Sequence, residues 1–239
     1  MPHRPELIVG SYNVHKAIGA DRRRDPHRTI AVIREIAPDL IALQEVDRRF
    51  GDRRGILDLD ALYDATGLQP VPLTSRKSDL AHGWHGNLLM FKGAELEDAR
   101  VIDLPGFEPR GAIVADLNFA GQPIRVIAAH LGLLKGSRLL QARRLADEIS
   151  PDRPTIMMGD FNEWRRGPGC SLMPLKTGLD AVSRAGSVAS FPAGRPMLAL
   201  DRIIGCTRAE LADLSPHDSA LARLASDHLP IRARLKLPQ

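Results

Sequence analysis

The segment Thr155-Ile156-Met157-Met158-Gly159-Asp160-Phe161-Asn162 does more than any other to narrow what this chain can fold into. A short apolar run that stops at glycine reads as a buried strand. A carboxylate and an amide follow it, two residues apart. On extended backbone such residues point to the same side, so Asp160 and Asn162 are expected to face one spot at a strand end. There an acid can bind a metal or orient water, and an amide can contact a phosphoryl oxygen. Asp-x-Asn is also a common turn, because both side chains bond nearby backbone. Taken alone, the motif does not separate the two readings.

Four more apolar runs begin or end in polar groups of the same kind: Leu7–His15 with Asn13, Leu40–Asp47 with Glu45, Ile124–Leu131 with His130, and Ala225–Ile231 with Asp227-His228. Strands that gather carboxylates, amides and imidazoles at their ends describe a hydrolytic metal site. A solvated strand-end charge is the plain alternative for Glu45, and a core histidine bonded to backbone is the plain alternative for His130.

The rest of the chain reads as alternating strands and helices, an α/β pattern. Strands are expected near 6–13, 40–46, 69–74, 86–92, 111–118, 123–130, 154–159, 199–205 and 229–236. Helices are expected near 27–37 before Pro38, 58–66 with Gly67 as C-cap, 137–149 before Pro151, and 169–176. With 239 residues, 44% hydrophobic and 26% charged, the chain is expected to be one globular domain over 1–239. No run approaches the ~18 apolar residues of a membrane span, and no signal-type segment precedes the first strand. Cys170 and Cys206 are too few for a disulfide framework, and reduced thiols are expected. These features point to a cytoplasmic protein.

In order, Ser-Tyr-Asn13, Gln-Glu45, His130, Gly-Asp160-Phe-Asn162, Leu-Asp201-Arg-Ile and Ser-Asp227-His228 resemble the motifs of the endonuclease/exonuclease/phosphatase superfamily. The resemblance runs from about Leu7 to Leu235. It implies a four-layer α/β/β/α sandwich, two mixed sheets packed face to face with helices outside and the site at one edge. It implies a divalent-metal-dependent phosphoric ester hydrolase. His228 would pair with Asp201, Asp227 would sit near the metal, and His130 would face the scissile phosphate.

A phosphodiester is anionic and repels nucleophiles. Its hydrolysis needs charge neutralisation, an activated water and donors for the phosphoryl oxygens. Mg²⁺ and Mn²⁺ suit oxygen ligands, and Glu45 is the first choice, with Asn13 beside it. Either His228 or Asp160 would activate water. His82 and His85 flank Trp84 without further soft ligands, so zinc is a weak reading; Asn87 just beyond them is a candidate substrate contact or a turn residue. His15, His27 and His217 read as surface or capping residues.

Substrate is the least legible property. Net charge is +4, with 27 arginines against six lysines. Arginine binds phosphate bidentately, and Arg48-Arg49, Arg110 and Arg165-Arg166 fall beside motif ends, the expected rim for an anionic ester. Arg22-Arg23-Arg24 is a further basic patch after the first strand. Aromatics are 4%, so few rings can stack on bases, and no DNA-reading motif is present. The expected activity is phosphodiester or phosphomonoester cleavage on DNA, RNA or another ester by a monomer. A phospholipid or phosphoinositide headgroup is the alternative, and a catalytically silent phosphate-binding module is the second.

Overall fold

The computed structural model describes residues 6–48, 51–73, 78–179 and 187–237. In chain order the elements are β1 (Glu6–Asn13), α1 (Pro26–Ile36), β2 (Leu40–Gln44), α2 (Leu59–Thr66), β3 (Gln69–Pro70), β4 (Leu88–Phe91), β5 (Glu95–Leu104), β6 (Arg110–Phe119), β7 (Gln122–His130), α3 (Lys135–Ala146), β8 (Thr155–Asp160), β9 (Asp201–Gly205), β10 (Glu210–Pro216), α4 (Ala220–Ala225) and β11 (Ile231–Lys236). One sheet has the order β10-β11-β1-β2-β4-β3 and the other β5-β6-β7-β8-β9. Each is mixed: β1–β2 and β7–β8 are parallel, and the remaining pairs antiparallel.

Strand alternation builds the layers. Leu7, Val9, Leu40 and Ala42 face the second sheet and share one core with Ile113, Val126, Ile127 and Met158. The intervening Tyr12, Ile41 and Leu43 turn outward onto Ile30, Ile33, Leu62 and Ala222 of α1, α2 and α4. Ala142 and Leu145 of α3, with Leu175, close the other side. This is the expected α/β/β/α sandwich. α1 starts at Asp25, whose side chain accepts from Arg28 N at 3.1 Å, with Pro26 in the first turn. Gly67 caps α2 at φ 73°.

Some expected boundaries are corrected. The helix near 169–176 is two 3₁₀ turns, Gly167–Gly169 and Met173–Thr177; Pro168, Pro174 and the glycines suit tight turns better than a regular helix. The strand near 69–74 pairs over Gln69–Pro70 only, since Pro70 and Pro72 offer no N–H to a ladder; residue 74 lies outside the described residues. β5, β10 and α4 were not expected. β5 and β10 are edge strands rich in exposed charge, and such edges carry little hydrophobic alternation.

Candidate active site

The site starts as a row of strand ends in the second sheet. His130 of β7 is in register with Asp160 of β8, and Asp160 with Asp201 of β9. Gly159 makes this close alignment possible: at φ 153° its place would put a Cβ 1.7 Å from the carbonyl oxygen of Ala129, so no larger residue fits. The first sheet supplies Asn13 from the end of β1. Its Nδ2 crosses between the sheets and donates to Asp160 Oδ2 at 2.9 Å. Two imidazoles approach the same oxygen, His130 Nε2 at 3.5 Å and His228 Nε2 at 3.8 Å. His228 reaches it from the loop before β11, where Ser226 Oγ donates to the carbonyl of Asn13 at 2.7 Å and holds the loop against β1.

Asp201 Oδ2 accepts from His228 Nδ1 at 2.8 Å and from the Ser190 hydroxyl. Burial lowers the basicity of His228, but Asp201, Asp160 and Asp227 together raise it, to about 10. With no metal bound, the ring therefore favours its protonated form. Asp160 is buried as well. Burial raises its carboxyl, the His228 charge lowers it, and Asp201 raises it again, for a net rise to about 6. Its other oxygen, Oδ1, accepts the backbone N–H of Asn162 at 2.9 Å.

Contrary to the expected strand alternation, the backbone is not extended through Asn162. Asn162 lies at φ 51°, and its Nδ2 donates to the Leu131 carbonyl at 3.0 Å. The turn and the site thus coexist: the amide fixes the loop after β7 while the acid stays in the cleft.

A second polar centre adjoins the first. Glu45 follows β2 at φ 59°, and its carboxylate pairs closely with the ammonium of Lys16. Burial raises Glu45, yet Lys16, His15 and Asn13 more than offset this and leave it below the usual carboxylate range. Three consecutive non-glycine residues, His15, Lys16 and Ala17, have φ of 45°, 58° and 57°. Left-handed backbone costs about 1–2 kcal/mol for each such residue. Lys16 and Glu45 line one cleft with Asp47, Arg53, Arg110 and His130. Asp47 accepts from Arg53 at 2.8 and 3.1 Å. Asp227 is 42% exposed, and His15 Nδ1 lies 3.6 Å from its Oδ1, so His15 borders the site and is not a plain surface residue.

The remaining candidates divide. Arg110 lines the cleft but is held by Glu108 at 2.8 Å. Arg165 covers the Trp164 ring at 4.4 Å, and Arg166 bonds Ser187 Oγ at 2.6 Å. Arg48 is exposed beyond the turn after β2, and Arg49 lies outside the described residues. Asn87 is fully buried, and its Nδ2 donates to the carbonyls of Trp84 and Gly111 at 3.1 and 3.0 Å, tying the two sheets together. His85 bonds Asp103 at 2.9 Å, and His82 bonds the Leu57 backbone. Cys170 and Cys206 are buried free thiols.

Sequence reading passed over Lys16, Ser190, Arg138 and Glu163. Glu163 is fully buried; it accepts from Ser171 N at 3.0 Å and Arg165 N at 2.9 Å, and lies 3.4 Å from Arg138 Nη2. Burial raises its carboxyl, but the Ser171 hydroxyl, which donates to Oε2, and then these bonds bring it down to about 2. Arg138 Nη1 also donates to the carbonyls of Gly132 and Leu133, so the pair braces the loops after β7 and β8. The Asn-Glu sequence after Asp160 was the available signal for Glu163.

Asp160, Asp201 and His228 each place a ligand atom within 4.8 Å of the others, a set able to coordinate a divalent metal. Asp201 Oδ1 is buried without a hydrogen-bond partner among the described residues, which fits a donor waiting for a cation. The sandwich, the buried acid–imidazole cluster and the adjoining carboxylate cleft define a metal-dependent phosphoric ester hydrolase. The chain belongs to the endonuclease/exonuclease/phosphatase family, whose model matches residues 10–228. It is 29% identical to the protein YbhP of Escherichia coli K12 over 256 aligned positions, 96% of each chain. Its fold is similar to the endonuclease/exonuclease/phosphatase from Beutenbergia cavernae, with a TM-score of 0.72 and 21% identity over 98% of this chain and 72% of that one. It is also similar to a mannosyl-6-phosphatase from Bacteroides thetaiotaomicron, with a TM-score of 0.69 and 16% identity over 96% and 99%.

Proposed function

We propose that the protein hydrolyses a phosphodiester with a water molecule whose proton goes to Asp160. The observation that supports this is the convergence of Asn13, His130 and His228 on one oxygen of a buried carboxylate whose affinity for protons is raised. A base poised near the working pH is the effective one. His228, already protonated, is a poor base and a good partner for phosphoryl oxygens. Asp201 holds its orientation. His130 donates to a phosphoryl oxygen or to the leaving group.

Mg²⁺ or Mn²⁺ would be held by Glu45, with Asn13 and Asp227 completing an oxygen-rich set that suits these hard ions better than a set containing the nitrogen of His228. When bound, the ion neutralises charge on the phosphoryl oxygens. The domain would span 1–239, act as a monomer and work in the cytoplasm.

Arg165 stacked on a 44%-exposed Trp164 supports DNA or RNA at the rim, with Arg48, Arg49, Arg110 and Arg166 as further anionic contacts and Asn87 behind the cleft wall. A second reading has its own support. Phe107, Leu133 and Leu134 are 86%, 63% and 54% exposed, on loops joined where Glu108 accepts the Leu133 N–H at 2.7 Å. Apolar tips beside the cleft suit a lipid headgroup at a bilayer. The resemblance to a sugar phosphatase keeps phosphomonoesters in the test. A metal-supplemented screen over DNA, RNA, phospholipid vesicles and small phosphate esters decides among them. No turnover of any ester with either ion would overturn the hydrolase reading.

A further inference from the structure

We propose that Lys16 is a displaceable internal cation: its ammonium neutralises Glu45 until a divalent ion takes that place, and then faces the phosphate of the substrate. The inference rests on the reading of Glu45 as a metal ligand. Backbone geometry is its first support. Residues 15–17 hold three successive left-handed conformations without a glycine. The turn is fixed by Lys16 N donating to the Glu45 carbonyl at 3.2 Å, by Ala17 N donating to the Val14 carbonyl at 2.8 Å, and by Arg24 Nε donating to the Lys16 carbonyl at 3.2 Å. Strain kept by surrounding bonds is a marker of function. Here its outcome is to carry one ammonium into the cleft and onto one carboxylate.

The other charges of the cleft supply the second support. Arg53 is bound to Asp47 and Arg110 to Glu108, carboxylates that lie outside the proposed ligand set. Among the described pairings of this cleft, that of Lys16 falls on a proposed metal ligand. The pair is accessible: the Lys16 and Glu45 side chains are 27% and 25% exposed, so solvent and a hydrated ion can reach it. A lysine has a flexible stem and a point charge, able to leave one oxygen for another within the same cleft. His130 lies along that cleft, so the freed ammonium stays beside the place where a phosphate would sit.

The pairing lowers apparent metal affinity by the fraction of molecules in which Glu45 is free. The test uses the full chain stripped of metal, with Mn²⁺ binding followed by electron paramagnetic resonance. Lys16→Met is expected to bind Mn²⁺ about tenfold more tightly than wild type, as for a pair formed nine-tenths of the time. Lys16→Arg, which keeps a counter-ion, and Arg110→Gln, which removes a cation paired elsewhere, are expected to stay within about twofold. In chelator Lys16→Met melts below wild type, and saturating Mn²⁺ closes that gap. Inorganic phosphate binds the Mn²⁺-loaded Lys16→Met protein about tenfold more weakly than loaded wild type. Equal or weaker Mn²⁺ binding by Lys16→Met, a melting gap that survives saturation, or unchanged phosphate affinity would overturn the proposal. Should Lys16→Met fail to fold, Lys16→Gln carries the same comparison. If no variant and not even wild type binds Mn²⁺, the metal reading of Glu45 itself has failed, an outcome distinct from wild type binding the ion as tightly as Lys16→Met.

Discussion

Asp201 and His228, 27 residues apart, are joined by a 2.8 Å hydrogen bond in which the ring Nδ1 donates to a carboxylate oxygen. The bond turns the other ring nitrogen toward Asp160. A histidine held this way favours its charged form. Replacing Asp201 by Asn removes the charge that sustains it while keeping the shape. We expect kcat to fall roughly 10²-fold or more, with a smaller change in KM. Equal rates for Asp201→Asn and wild type would show that the pairing is only structural.

The same linkage sets a pH signature. The folded His228 value lies above its ordinary 6.5, so the pairing contributes stability that is fully present below pH 6.5 and lost as pH rises through about 10. Melting temperatures of wild type should therefore decline across that window, and His228→Gln should show a flatter profile. Asp160 must be ionised to accept a proton, so kcat should rise with pH through about 6. A pH–rate profile flat between 5 and 8 would remove Asp160 as the base.

In the proposed mechanism, Asp160→Asn and His228→Ala each delete a group used mainly in the transition state. Losses in kcat of roughly 10²–10⁴-fold are expected, with modest KM effects. The double variant should be little worse than the poorer single one, because both act on one water and one phosphoryl group. Full additivity would argue for separate roles.

Glu45→Ala should weaken Mn²⁺ binding by more than roughly 10²-fold, beyond the range seen for outer-shell partners of metal sites, while leaving the far-ultraviolet spectrum unchanged. Excess chelator should abolish turnover, and either ion should restore it. Persistent activity in chelator would remove the metal from the reaction.

Charge reversal at Arg165 and Arg166 should raise KM for DNA more than it lowers kcat, since these groups lie away from the reacting phosphorus. The effect should shrink as salt rises. Vesicle cleavage compared side by side, with Phe107→Ser and Leu134→Ser, separates a nucleic-acid rim from a bilayer rim. An unchanged KM for DNA at low salt would leave the arginines without a substrate role.

The β8 strand and the acid that ends it were legible because a buried strand leaves an unbroken apolar run, and Gly159 marks where it stops. The families of motifs around Asn13, Glu45, His130 and His228 were legible for the same reason. Edge strands β5 and β10 were not, since their exposed charges carry no face preference. Lys16 and Glu163 were hidden for a different reason. Lys16 is brought to Glu45 by a left-handed turn that no glycine announces. Glu163 is buried through partners, Ser171 and Arg138, whose proximity only the folded chain creates. Periodicity reports which face is dry, and neither feature is written in periodicity.

Asn13 and Asp160 belong to different sheets, yet they meet at 2.9 Å. Their separation is therefore set by the thickness of the apolar layer between the sheets, where Val9, Ala42, Val126 and Met158 pack. That layer acts as a gauge for the reacting centre. Enlarging Ala42 or trimming Met158 would part or tilt the sheets by a fraction of an ångström, and activity should respond to such changes before stability does, although neither residue approaches the cleft.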